Sequence, residues 1–151
     1  MDTYRRNSWC KLIVLCSGVL FCSVVRAEDA PSWAQTYLQS LYAASNAGDA
    51  AAVAGLYSDD AVYGKVRGRS AILSTLTRDY RTLNYKCVGH FDGFREIAET
   101  AVGWGEEACT VLPRAAGARA QQSRARWLLV FERQADGRWL GIRETWQDLP
   151  D

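Results

Sequence analysis

The chain has 151 residues, with 18 lysines and arginines against 17 aspartates and glutamates, one histidine and 48% hydrophobic residues. That length supports one packed core and not two. The near-balanced charge, without a basic cluster, argues against nucleic acid or an anionic membrane as partner, since both need concentrated positive charge.

Residues 1–27 read as a secretory signal peptide. Arg5, Arg6 and Lys11 give a cationic start, Leu12 to Val25 is almost unbroken apolar sequence, and Val25-Arg26-Ala27 places small residues at the spacing of a cleavage site. The apolar run of 14 residues falls short of the ~20 that span a bilayer. Cleavage after Ala27 is therefore expected, with export to the periplasm or beyond and no stable membrane anchor afterwards. The domain over 28–151 then carries 14 basic residues against 16 acidic ones.

Ser32 stands three residues before Gln35, a capping-box spacing that predicts a helix from Trp33. Its apolar stripe is Trp33, Tyr37, Leu38, Leu41 and Tyr42. Gly48 stops it and Asp49 caps a second helix whose Val53, Leu56 and Tyr57 face inward. Ala61 to Tyr63 is expected as a short strand. A third helix, Ser70 to about Arg81, follows Gly68 and buries Ile72, Leu73, Leu76 and Tyr80.

From Leu83 the apolar period becomes two, and the remainder reads as four strands. The first two are Leu83–Ile97 and Thr100–Leu112, with a turn near Ala98-Glu99. In the third, Arg124 to Arg133, residues Ala125, Trp127, Leu129 and Phe131 form a core face. Asp136-Gly137 marks a hairpin, and Arg138 to Gln147 is the last strand. Pro113 to Ser123 lacks any large apolar residue and is expected as a loop.

In order and in wording, Asn46-Ala47-Gly48-Asp49, then Leu56-Tyr57-Ser58-Asp59-Asp60-Ala61-Val62-Tyr63, then Gly68-Arg69-Ser70-Ala71-Ile72 resembles the opening of the NTF2-like superfamily, in particular its SnoaL-like and DUF4440-type domains. The resemblance covers about Trp33 to Trp146. It implies an α+β cone, three helices closing a curved and mostly antiparallel sheet around a pocket, and commonly a homodimer formed through the sheet. The same fold serves enzymes, binding proteins and scaffolds, so it does not settle function. Ketosteroid-isomerase-like members carry a base just after the acidic turn, where this chain has Gly64 or Lys65. Their first-helix tyrosine falls on Leu41, with Tyr42 one residue out of phase, and their second acid falls near Leu129. All three positions depart from steroid-isomerase chemistry.

A turn centred on Ala98 sets opposite each other residues whose numbers sum to 196, bringing Cys87 across from Cys109 and His90 across from Glu106. Facing Cβ atoms lie ~4.5–5.5 Å apart, so a disulfide fits with slight local twist. The alternative is a pair of buried thiols. His90, with Asp92 and Glu106, is the candidate acid–base group, since an imidazole beside carboxylates titrates near neutrality. The competing reading puts those three on a solvated outer face, because Tyr85, Cys87, Phe91 and Gly93 on the other face make an equally good core set.

On the last strand Gly141, Arg143 and Thr145 share a face with Trp139. If that face lines the cone, Arg143 and Thr145, with Tyr37, Tyr57, Tyr63 and Trp127 as walls, suit a small, partly apolar, anionic ligand. If Leu140, Ile142 and Trp146 face inward instead, Arg143 lies outside. Nothing in the sequence calls for a metal or another cofactor: a lone histidine is no zinc set, and no Gly-rich phosphate loop or nucleophile elbow is present. Three functions remain in view: binding of a small molecule in the cone, a SnoaL-like isomerase or cyclase working by proton abstraction, and a dimeric or immunity-like interaction module.

Overall fold

In a computed structural model, which describes residues 29–150, three helices lie against the concave face of one six-stranded sheet. The expected signal peptide lies outside the described residues. Helix α1 (Ser32–Ala47) begins one residue before the sequence suggested. Pro31 is its N-cap and makes no side-chain capping bond, so the Ser32–Gln35 box does not form. Gly48 ends the helix at a left-handed φ of 72°, which glycine adopts without steric cost. Asp49 caps α2 (Ala50–Gly55) by accepting from the Ala52 amide at 2.9 Å.

Strand β1 (Tyr57–Tyr63) starts four residues earlier than expected, and Tyr57 belongs to it rather than to α2. Already at Leu56 the backbone is taken up by the sheet: the Leu56 carbonyl accepts the Gly141 amide at 2.9 Å. β1 pairs antiparallel with β2 (Val66–Arg67) and parallel with the last strand. Helix α3 (Arg69–Thr82) buries Ile72, Leu76 and Tyr80, whereas Leu73, expected inside, is 38% exposed.

The remaining strands, β3 (Leu83–Ile97), β4 (Thr100–Pro113), β5 (Gln121–Arg133) and β6 (Trp139–Asp148), form an antiparallel meander, giving the order β2-β1-β6-β5-β4-β3. The loop before β5 shrinks to 114–120. The inner face of β5 is the core row foreseen: Ala125, Trp127, Leu129 and Phe131 are all buried. They meet Ala34, Tyr37, Leu38 and Leu41 of α1. Trp33 stacks on Trp139, ring centroids 4.4 Å apart.

Two bulges set which side chains look inward. The β3–β4 turn is Ala98-Glu99, so near it opposite residues sum to 197, as in Glu96 with Ala101. Asp92 is an extra residue in β3; beyond it the sum is 196, pairing Cys87 with Cys109 and His90 with Glu106. Trp104 therefore faces Gly93 and not Asp92. On β6 the extra residue is Ile142, since Phe131 pairs with Gly141 but Val130 with Arg143. Each bulge reverses the alternation along its strand.

Candidate functional site

Cys87 and Cys109 face each other with their sulfurs at bonding distance, 2.00 Å. Asn46, at the end of α1, clamps the edge of β3 there: its amide donates to the Cys87 carbonyl at 2.9 Å and its carbonyl oxygen accepts the Cys87 amide at 2.7 Å. One step along the inner face, Gly89 lies opposite Glu107. A Cβ on Gly89 would overlap the Tyr42 hydroxyl, which uses that space to donate to Glu107 Oε2 at 3.2 Å. The spacing of Tyr37 and Tyr42 on α1 thus sends one hydroxyl to each side of the cone. Tyr37 donates to the Leu56 carbonyl at 3.0 Å and lies over Gly141, where a Cβ would come within 2.6 Å of its oxygen.

Beyond the Ile142 bulge, Glu144 turns inward and accepts a hydrogen bond from Tyr57. Tyr63 packs edge-on to Tyr57 at 5.7 Å and against Trp146 at 4.9 Å. Trp127 projects from β5 between the β4 and β6 rows, with Phe91 5.1 Å away and Gly105 beneath its ring. Its indole N–H is buried without an acceptor among the described residues.

Burial pushes the Glu144 carboxyl up to about 7, repulsion from Glu107 adds to this, and the Tyr57 bond opposes it. Glu107 is raised as well, by burial and then by Asp148, against its bond from Tyr42. Tyr37, Tyr57 and Tyr63 are each held far above the usual phenol range by burial and then by the Glu144 charge. These phenols therefore stay protonated at physiological pH. A carboxyl that changes state near neutrality can take up, give up or share a proton with whatever lies against it.

Several residues singled out from sequence lie elsewhere. Arg143 and Thr145 are exposed on the outer face, because Ile142 shifts the alternation by one. Trp139 and Gly141 keep the inward phase proposed for them. Glu144 and Trp146 belong to the competing phase, so each reading of β6 was right on one side of the bulge. His90, Asp92 and Glu106 are on the outer face too. His90 Nε2 meets Asp92 Oδ1 at 3.0 Å in the open, and Glu106 receives Arg124 at 2.9 Å and Arg126 at 3.1 Å. Those two guanidiniums hold the Glu106 carboxyl below its ordinary range, Arg126 contributing most. His90, Glu106 and Arg124 border an open depression of about 190 Å³ that Gly89 and Glu107 also line. Tyr37, Tyr57, Tyr63 and Trp127 do face inward; Tyr37 and Tyr57 spend their hydroxyls within the protein, while Tyr63 stays half-buried.

No family model and no curated protein matches this chain. Solved structures do. A ketosteroid isomerase-like protein from Erwinia carotovora atroseptica superposes with a TM-score of 0.69 at 17% identity, covering 78% of this chain and 94% of that one. The chain has the NTF2-like fold. ActVI-ORFA from Streptomyces coelicolor gives 0.62 at 12% identity, covering 77% and 94%. A Xanthomonas campestris protein assigned as a calcium/calmodulin-dependent protein kinase II association domain gives 0.66 at 20% identity, covering 85% and 99%. The cone with its helices above one concave sheet face is what these proteins share with this chain. Among the described residues no three His, Cys, Asp or Glu side chains gather as a metal-holding group, and no helix is long and apolar enough to cross a membrane.

Proposed function

We propose that this chain binds a small, partly apolar molecule in its cone, with Glu144 as the group that recognises it. The observation behind this is an inner face of tyrosines and tryptophans that surrounds a half-buried carboxyl poised near neutrality and fixed by Tyr57. Aromatic walls supply contact area and a few fixed polar groups supply orientation, the usual division of labour in a ligand site. The anionic ligand expected from Arg143 is replaced, since the cone interior is acidic and that arginine is outside.

A second reading is favoured by the same carboxyl. Glu144 is suited to shuttle a proton in an isomerase-type reaction, a role the sequence had offered to His90 and Asp92. Retention of ligand through purification, identified by native mass spectrometry, tests the binding reading. Glu144→Gln then separates the two: unchanged binding with abolished turnover supports proton transfer, and lost binding supports recognition alone. A protein that retains nothing, and whose tryptophan fluorescence responds to no member of a small-molecule library, would defeat both. We further propose that the protein acts after export, with Cys87 and Cys109 joined.

A further inference from the structure

Around Trp127 the inner face carries acidic side chains without an ion-pair partner among the described residues. Glu107 of β4 and Glu144 and Asp148 of β6 flank Trp127, and neither glutamate has an ion-pair partner among the described residues. Of the arginines of these strands, Arg124, Arg126 and Arg143 lie on the other side of the sheet, the first two engaged by Glu106, while Arg133 stands at the far end of β5 opposite Trp139. Tyr42 and Tyr57 give one hydrogen bond each to Glu107 and Glu144, which leaves acceptor sites on both carboxyls free. A second, independent signal comes from Trp127. The residue is only 5% exposed, lies on the inner row of β5, and its Nε1–H has no acceptor among the described residues. Buried donors in folded proteins nearly always have partners, so this one points to an acceptor supplied from outside the chain. Tyr63 and Trp146 add aromatic faces at the mouth, which attract cations.

Resting on the reading of the cone as a small-molecule site, we infer that its ligand is a protonated amine on an apolar body with a neighbouring hydrogen-bond acceptor. The ammonium lies toward Glu144 and Glu107, the body lies against the aromatic rings, and the acceptor takes the Trp127 N–H. The groups facing Glu144 are Tyr37 and Tyr42 of α1, Tyr57 and Tyr63 of β1, Tyr80 of α3 and Glu107 of β4. None of these is a cation and the phenols stay protonated, so among them it is Glu144, raised to about 7, that changes charge near neutrality. Amine binding favours the ionised carboxyl and therefore strengthens as pH rises from 5 to 8; a neutral ligand that accepts from protonated Glu144 weakens over the same range.

The test uses four probes: phenethylamine, 2-amino-1-phenylethanol, 2-phenylethanol and phenylacetate. Binding is followed by tryptophan fluorescence and calorimetry on the wild type, Glu144→Gln, Glu107→Gln and, as an outer-face control, Arg143→Ala. Both amines should bind at least tenfold tighter than 2-phenylethanol or phenylacetate, and the hydroxylated amine severalfold tighter than phenethylamine. Each glutamine variant should bring the amines toward the alcohol while leaving the alcohol nearly unchanged, and Arg143→Ala should alter none. Alcohol or phenylacetate binding as tightly as the amines, or amine affinity falling with pH, would overturn the ligand class and leave the cone reading standing. Equal affinity of the two amines would remove the acceptor assigned to Trp127. Silence from all four at millimolar concentration would overturn the class and the cone reading together. The wild-type ranking and pH profile stand even if a glutamine variant fails to fold.

Discussion

Glu144 ties the cone's chemistry to the stability of the whole protein. Its carboxyl ionises at about 7 when folded against an ordinary 4.5, so the folded state holds this proton more tightly than the unfolded chain does. The resulting stabilisation is complete below about pH 4.5 and is lost as pH rises through about 7. The shift corresponds to about 3 kcal/mol. Glu144→Gln keeps an acceptor for Tyr57 and removes the titration. The stability difference between wild type and variant, from urea denaturation at pH 5 and pH 8, should change by up to that amount, with wild type losing more at pH 8. The outer carboxylates with lowered values, Glu106 and Asp136, act in the opposite direction but are common to both proteins, so parallel profiles would contradict the assignment. Gly89 offers a second test at this scale. Gly89→Ala sets a methyl group where the Tyr42 hydroxyl lies, which should cost about 1–3 kcal/mol by overpacking. Combining it with Tyr42→Phe, which empties that space, should recover part of the loss in thermal melts.

At the level of elements, the cross-strand pair Cys87–Cys109 joins β3 to β4 beside Glu107, with a sequence separation of 22. Closing a loop of that length is worth roughly 3 kcal/mol in chain-entropy terms. Reductant should lower the denaturation midpoint of protein purified from an oxidising compartment by a matching amount, and Cys87→Ser/Cys109→Ser should be insensitive to it; recovery of two free thiols by non-reducing peptide mapping would refute the bridge. The sequence led to this pairing by two deviations that cancel: the turn centres between Ala98 and Glu99, and the Asp92 bulge restores the register. No such cancellation occurs on β6. Alternation is legible wherever one face is apolar, as on β5, and the helices followed from their stripes and from Gly48 and Asp49. Bulges leave little trace in sequence when the residues around them are mixed, as in Ile142-Arg143-Glu144-Thr145. Glu144 was hidden there because a charged residue between Arg143 and Thr145 reads as a solvated strand.

Over the whole molecule, the sheet separates two chemistries. Inside are carboxyls and phenols; outside are the Glu106–arginine network, His90 with Asp92, and an apolar group in which Trp104 lies across from Leu128 and Val102 across from Val130. Leu128 is partly exposed and Trp104 half-buried. We propose that this outer group meets a second copy of the chain, since a broad sheet face with large apolar residues commonly does so. Light scattering at tens of micromolar should give a dimer mass, and Trp104→Glu should halve it without changing the fold; a monomeric wild type would refute the proposal. Trp146, by contrast, packs over Gly64 and Tyr63 on the inner side of the sheet. The fold class was legible because it depends on the order and period of elements. The face presented by each polar side chain depends on single inserted residues, and was not.

The Ile142 bulge also governs how this chain is aligned with others. Gly141 and Glu144 both look inward although three positions separate them, whereas in an unbroken strand two positions connect residues of one face. A gap-free comparison with a relative whose last strand is regular would match that relative's inward residue to Arg143 and invert the inferred charge of the site. The gap belongs at Ile142. Deleting that residue would shorten the strand and still leave Glu144 inside, while straightening the strand at full length would exchange acid for base on the inner face.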